Sequence, residues 1–195
     1  MAAIGMKYPV YAPITAYTEG SAITYGTGKV LCHAIAGTIN QNRRDNPLWG
    51  DDVRIEEDNG MTDYTIDFEG DAIQPAERAA LLGYVAVTGT GSTVTHYRVT
   101  DASSPDVGFG YYRVLKENGA TKVDAYWFHS VKFALETEEA ATKKEQIEWG
   151  TAKLKATGKG VIIDTDGAVE FYHYMQFETE AAAKAWLNTK AGITG

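Results

Sequence analysis

"VDAYWFHSVKFALETEEAATKKEQIEW" spans Val123 to Trp149. Val123, Ala125, Trp127, Val131, Phe133 and Leu135 are apolar odd positions, while Asp124, Ser130 and Lys132 are among the even ones. That period of two predicts a half-buried β-strand ending near Leu135. A second strand is expected from about Gln146, with Ile147 and Trp149 on one face. Beyond Gly150 the apolar parity moves to Ala152, Leu154 and Ala156, which a β-bulge at Gly150 explains. Between the two strands lies the charged segment Glu136–Glu145. Thr137 or Glu138 could begin a helical turn there, but "EEAATKK" offers no apolar stripe to bury. The expectation is a solvated connector; the sharper alternative is an ordered arm touching another subunit.

Working outward, "FGYYRVLKENGATK" sets Asn118-Gly119 between two strand-like runs, a hairpin signal because both central residues of a type I′ turn need positive φ. "GKGVIIDTDGAVEFYHYMQF" predicts a second hairpin turning at Asp166-Gly167, with Val169, Phe171, Met175 and Phe177 on one face. In "MTDYTIDFEG", Tyr64, Ile66 and Phe68 alternate with Thr65 and Asp67. Two helices are expected. "QPAERAALLGY" puts Pro75 at a first helical position and Gly83 just past the end, with Leu81 and Leu82 to bury. "ETEAAAKAWLNTKAG" is capped by Thr179 and stopped by Gly192, with Ala182, Ala185, Trp186 and Thr189 as its packing face. The fold class is therefore mostly β, an antiparallel sandwich or barrel with one short central helix and a C-terminal helix at 179–191. A single domain covers 1–195. Residues 1–20, with Pro9, Pro13 and Gly20, read as an arm rather than a core element, and 40–62 as a long polar loop.

Composition narrows function. A chain of 195 residues, 44% hydrophobic and 23% charged, is ordinary for one globular domain. The net charge of -8 argues against nucleic-acid affinity, which rests on Lys and Arg neutralising phosphates. The lone Cys32 excludes an intramolecular disulfide framework and an all-Cys zinc site. No charged n-region precedes an apolar h-region in "MAAIGMKYPVYAP", and no apolar run nears the roughly 20 residues of a membrane span, so folding in a cytoplasm is expected.

Motifs for catalysis are weak. "YGTGKV" lacks the first Gly and the Ser/Thr of a phosphate loop, Ile23 and Val30 standing there instead, and reads as a glycine turn. "DTDGAVEF" brings Gly167 too early for a calcium loop, and Met175 stands where its glutamate belongs. His33, His96, His129 and His173 are far apart, so a metal site would need long-range convergence. No G-x-S-x-G elbow is present. Cys32 beside His33 reads as a buried structural thiol, since neighbours on a strand face opposite ways. The expectation is no catalytic residue, no cofactor and no metal. The acidic run Asp51, Asp52, Glu56, Glu57 and Asp58 has no apolar surroundings to split its pKa values. It lies in the polar stretch "NQNRRDNPLWGDDVRIEEDNGMTD", where Leu48 and Trp49 suggest docking onto a partner.

Over roughly residues 5–177 the chain resembles the major tail (tail-tube) proteins of long-tailed, non-contractile bacteriophages. The order of "YPVYAPIT", "YGTGKVLCHAIAGTIN", "DNPLWGDD", "VRIEEDNG", "YTIDFEG", "ALLGY" and the block "VGFGYYRVLKENG…AYWFHSVKFALETEEAATKKEQIEWGTAKLKATG" carries the resemblance. It implies a β-sandwich subunit with a flanking helix, six subunits per ring, and rings stacked into a tube through loops and arms. Carried onto this chain, the Arg43–Asn59 loop becomes the stacking loop with Leu48 and Trp49 as its anchor and Arg43 and Arg44 beside them. The Tyr8–Tyr17 arm, with Tyr8 and Tyr11, becomes a second inter-ring contact. Asp51, Asp52, Glu56 and Glu57 are candidates for an acidic lumen that lets DNA pass without binding. Implied partners are further copies of the chain and tape-measure, tail-tip and tail-terminator proteins. The implied location is a virion tail assembled in a bacterial cytoplasm. Alternatives are the inner tube of a contractile tail or injection device, and a monomeric β-sandwich module binding carbohydrate or protein.

Overall fold

The computed structural model describes residues 2–88, 95–101, 103–117, 119–138 and 151–194. Its spine is one long hairpin, β10 (Val107–Glu117) and β11 (Ala120–Glu138), joined by a two-residue turn in which Gly119 has φ 83°. The remaining strands, in chain order, are β1 (Ala2–Ala16), β2 (Thr24–Tyr25), β3 (Lys29–Val30), β4 (Ala34–Arg43), β5 (Asn46–Gly50), β6 (Val53–Asp58), β7 (Met61–Gly70), β8 (Val85–Thr88), β9 (Thr95–Arg98), β12 (Ala152–Lys159) and β13 (Tyr172–Phe177). Among the described residues, nine of them form one antiparallel sheet in the order β2-β1-β10-β11-β12-β7-β4, with β3 added to β1 and β13 to β11. β5–β6 and β8–β9 are separate two-stranded hairpins. Among the described residues the protein is thus mostly antiparallel β with two helices, as expected.

The opening stretch differs from its half-buried reading. Val123 to Val131 are all buried, on both faces. Val123, Ala125 and Trp127 face the C-terminal helix α2 (Glu180–Ala191), whereas Tyr126 and Phe128 face the main core. Pairing slips between Val107/Val131 and Phe109/Phe128, so β11 carries an extra residue near His129 and Ser130. That bulge reverses the parity, and Val131, Phe133 and Leu135 join Phe128 in the main core. Asp124, expected at the polar surface, is 1% exposed. Its carboxylate accepts bonds from Arg113 (3.3 and 3.4 Å), the Tyr174 hydroxyl (3.1 Å) and the Gln176 amide (3.0 Å), which offsets the cost of burying a charge. The strand continues to Glu138, three residues past its expected end. The first three residues of the expected connector thus belong to β11, while its remainder (139–145), the strand start at Gln146 and the bulge at Gly150 lie outside the described residues. Past them, Ala152, Leu154 and Ala156 do turn toward the core.

"VGFGYY" shows why α2 can lie on this face. A Cβ at Gly108 would sit 2.5 Å from Trp127, and one at Gly110 would sit 2.7 Å from Trp127 and 2.8 Å from Leu187. The bare strand leaves a flat bed for the indole, and the small Ala183 and Ala191 flank Leu187 on the helix above. Thr179 accepts from the Ala182 N–H and Gly192 ends the helix at φ 65°, both as expected. The buried face is Ala183, Leu187 and Ala191, with Trp186 at its margin, rather than Ala182, Ala185 and Thr189. Leu187 decides the rotation, because its neighbours at i±4 are alanines. α1 (Pro75–Leu82) has the predicted ends and buries Ala79, Leu81 and Leu82.

Residues 1–20 are not set apart as an arm. β1 runs between β10 and β2/β3, with Val10, Tyr11 and Ala12 buried. Its prolines fit because the pairing with β10 skips Tyr8–Pro9, and Pro13 pairs with Val107 at the end of the ladder. The second predicted hairpin keeps its turn, where Gly167 has φ 74°, but Val161 and Glu170 make only an isolated bridge. β13 pairs with β11 instead. Phe171 then packs on the main core and Phe177 under α2, while Val169 and Met175 are exposed, so the four do not form one buried face.

Candidate functional site

The Arg43–Asn59 segment is an extended hairpin, not a loop. β4 and β7 pair to Arg43↔Met61, the Arg44 N–H donates to the Gly60 carbonyl (2.9 Å), and β5 and β6 then carry the ladder outward. Asp51 and Asp52 form its tip with φ of 50° and 61°, the two positive values a type I′ turn demands. Asp tolerates that conformation better than most residues, so the local rule was present in "GDDV". Leu48, Trp49, Val53 and Ile55 on this hairpin are 56%, 63%, 64% and 62% exposed. Leu48 and Trp49 are strand neighbours and point to opposite faces, so both faces carry apolar side chains. Four large apolar residues on a projecting element form an unsatisfied surface.

The charged candidates frame that surface. Arg44 pairs with Asp58 (3.2 Å), and Arg43 reaches the Asn59 carbonyl (3.4 Å) and Gln41 (3.1 Å), both at the hairpin root. Arg54 bridges Glu57 (2.6 Å) and Asp45 (3.6 Å). Glu56 stands opposite Leu48 in the ladder. The Gly60 N–H and Arg44 hold the Asp58 carboxyl below its usual range. Asp51, Asp52, Glu56 and Glu57 therefore share one hairpin with the apolar anchor. Behind it, β4 is bonded to β7 on one side only among the described residues, and most of its length is exposed. Such an edge presents unpaired backbone groups to another strand.

Tyr8 and Tyr11 sit elsewhere. Tyr11 is buried, its hydroxyl bonded to Glu77, and burial together with that carboxylate pushes its pKa well up. Tyr8 is half-buried, donates to Asn188 Oδ1 (2.9 Å) and lies under Lys184 (5.1 Å). Both tyrosines hold β1 against the fold's own helices, so the structure does not offer them as free contact residues. Tyr8 lies within the register shift between Lys7 and Val10, whereas Tyr11 sits in the regular ladder opposite Phe109.

Two features fell outside sequence reasoning. β8–β9 is a second exposed hairpin, with Val85 and Val87 outward; the alternation of "VAVT" against "THYR" was its signal. The other is a convergence of His129, Glu170 and His173, whose ligand atoms all lie within 4.8 Å of one another. Burial first, then the charges of His173 and Lys190, lower the His129 pKa to about 3. Elsewhere, a cleft of about 450 Å³ opens between β1, the Val30–Ala34 segment and α2, lined in part by Met6, Tyr8, Leu31 and Cys32. Burial pushes the Cys32 thiol up to about 12, which favours the protonated form over the thiolate that nucleophilic chemistry needs. "YGTGKV" is a turn between β2 and β3, where the Gly28 N–H donates to the Ala191 carbonyl (2.8 Å).

No protein-family model matches the chain, and a search of curated proteins returns no match either.

Proposed function

We propose that the protein is a structural virion subunit that assembles into six-membered rings stacked as a phage tail tube, through which DNA passes to the host. One observation carries this reading: the hairpin 46–58 projects four exposed large apolar side chains from the root of an open sheet edge. An added strand on β4 would satisfy the edge in a ring, and the hairpin would seat its apolar faces on a neighbour. A head-to-tail contact of this type generates rings and stacks from one chain. The order of sequence blocks supports the same reading, and the charge of -8 suits a conduit that must not hold phosphates. In this reading the chain is not an enzyme. Tape-measure, tip and terminator proteins are its further partners, and the tube of a non-contractile tail is its place.

A second reading, a monomeric binding module, is favoured by the cleft between β1 and α2. Light scattering after size exclusion, over a concentration series, separates the two. The tail-tube reading expects a mass that grows with concentration through six-fold multiples of the chain. A monomer at every concentration, with no growth on a tail-tip seed, overturns it in favour of the binding module.

A further inference from the structure

Three metal-binding side chains remote in sequence meet where β13 joins the bulge of β11. His129 Nε2 is buried without a hydrogen-bond partner among the described residues, on a side chain only 4% exposed. It lies 3.6 Å from Glu170 Oε2, and His173 Nε2 lies 2.7 Å from the same oxygen. The two imidazoles stand nearly perpendicular with centroids 4.5 Å apart. A buried ring nitrogen with nothing to bond is costly, and one that faces a carboxylate and a second imidazole asks for a shared partner.

We propose that His129, His173 and Glu170 bind one divalent transition cation of the zinc type. Tetrahedral zinc with bonds of about 2.0–2.2 Å spaces its ligands about 3.3–3.5 Å apart; the 3.6 Å between His129 and Glu170 is near that, and the 2.7 Å contact of His173 with Glu170 has to open by under an ångström as the ion replaces its hydrogen bond. Two imidazoles and one carboxylate suit zinc, cobalt or nickel, whereas calcium and magnesium take oxygen ligands. Glu170 and His173 are partly exposed, so water can fill the remaining position. Lys190 opposes the ion: its Nζ is 3.5 Å from His173 Nδ1. When the metal takes Nε2, the His173 proton moves to Nδ1, and Lys190 must turn outward. The ion would clip Glu170 and β13 to β11, independently of any assembly of the chain.

The test is cobalt titration of the full chain stripped of metal, read by visible d–d absorption, with zinc calorimetry for stoichiometry. One ion per chain is expected. His173→Gln and Glu170→Gln, both at partly exposed positions, should each weaken binding about tenfold or more. Lys190→Gln should tighten it several-fold by removing the opposing charge, and His96→Gln should leave it unchanged. Zinc should raise the melting temperature of the parent protein but not of His173→Gln. No cobalt spectrum, or binding that survives both His173→Gln and Glu170→Gln, overturns the proposal.

Discussion

Truncating Trp49 to alanine should separate assembly from folding. Trp49 is 63% exposed, on a hairpin that pairs only with itself among the described residues. A tryptophan presents at most about 250 Å², so about 150 Å² is available to bury against a neighbour. At about 25 cal/mol per Å² that area corresponds to about 4 kcal/mol. The side-chain ordering that association costs reduces the net effect to about 1.5–3 kcal/mol, a ten- to hundred-fold weaker contact. The isolated subunit loses nothing comparable, since an exposed substitution typically changes stability by under about 0.5 kcal/mol. The assay pairs sedimentation velocity over a concentration series with thermal unfolding of the monomer peak. Trp49→Ala should move the assembly midpoint to at least about tenfold higher concentration with an unchanged melting temperature. Assembly at the parental concentration refutes the anchor role. A melting temperature lowered by many degrees refutes the claim that Trp49 faces away from the fold.

Other outcomes follow from the core and the termini of α2. Gly110→Val forces a side chain into Trp127 and Leu187 and should cost about 1–3 kcal/mol or more by denaturant titration. Leu187→Ala removes the central contact of α2 and should cost about 2–5 kcal/mol, with amides of 180–191 losing exchange protection first. Thr179→Ala deletes the cap on the Ala182 N–H and should cost about 1 kcal/mol. The Tyr112 hydroxyl, then Lys7, hold the Glu180 carboxyl below its usual range. A depressed folded pKa means the unfolded chain binds the proton first, so this stabilisation is present above pH 4.5 and is lost as pH falls below it. Glu180→Gln should flatten that part of the acid-unfolding profile.

Sequence legibility tracked how local each determinant was. Both helices were readable to the residue because Pro75, Gly83, Thr179 and Gly192 act within one turn. β7 was readable because only one of its faces is fully buried. β11 was misread in its facing, since α2 arrives from far along the chain to cover Trp127, and a bulge near His129 reverses the parity beyond. Pro9 and Pro13 disguised β1, whose ladder slips just where the first proline stands. Polar composition disguised the 46–58 hairpin, although Leu48 and Trp49 did stand out as apolar residues in a polar stretch, and both are exposed. The meeting of His129 with Glu170 and His173 depends on β13 pairing with β11 rather than with its predicted hairpin partner, and no spacing in the chain announces that.

The central claim is self-assembly into a hollow ring stack, and negative-stain imaging of the concentrated protein tests it most directly. The account predicts tubes or rings whose end-on averages show six-fold symmetry around an open lumen, and their loss in a variant with 46–58 replaced by a short Gly-Ser turn. Only monomeric particles at every concentration, or tubes undiminished by that replacement, would contradict it.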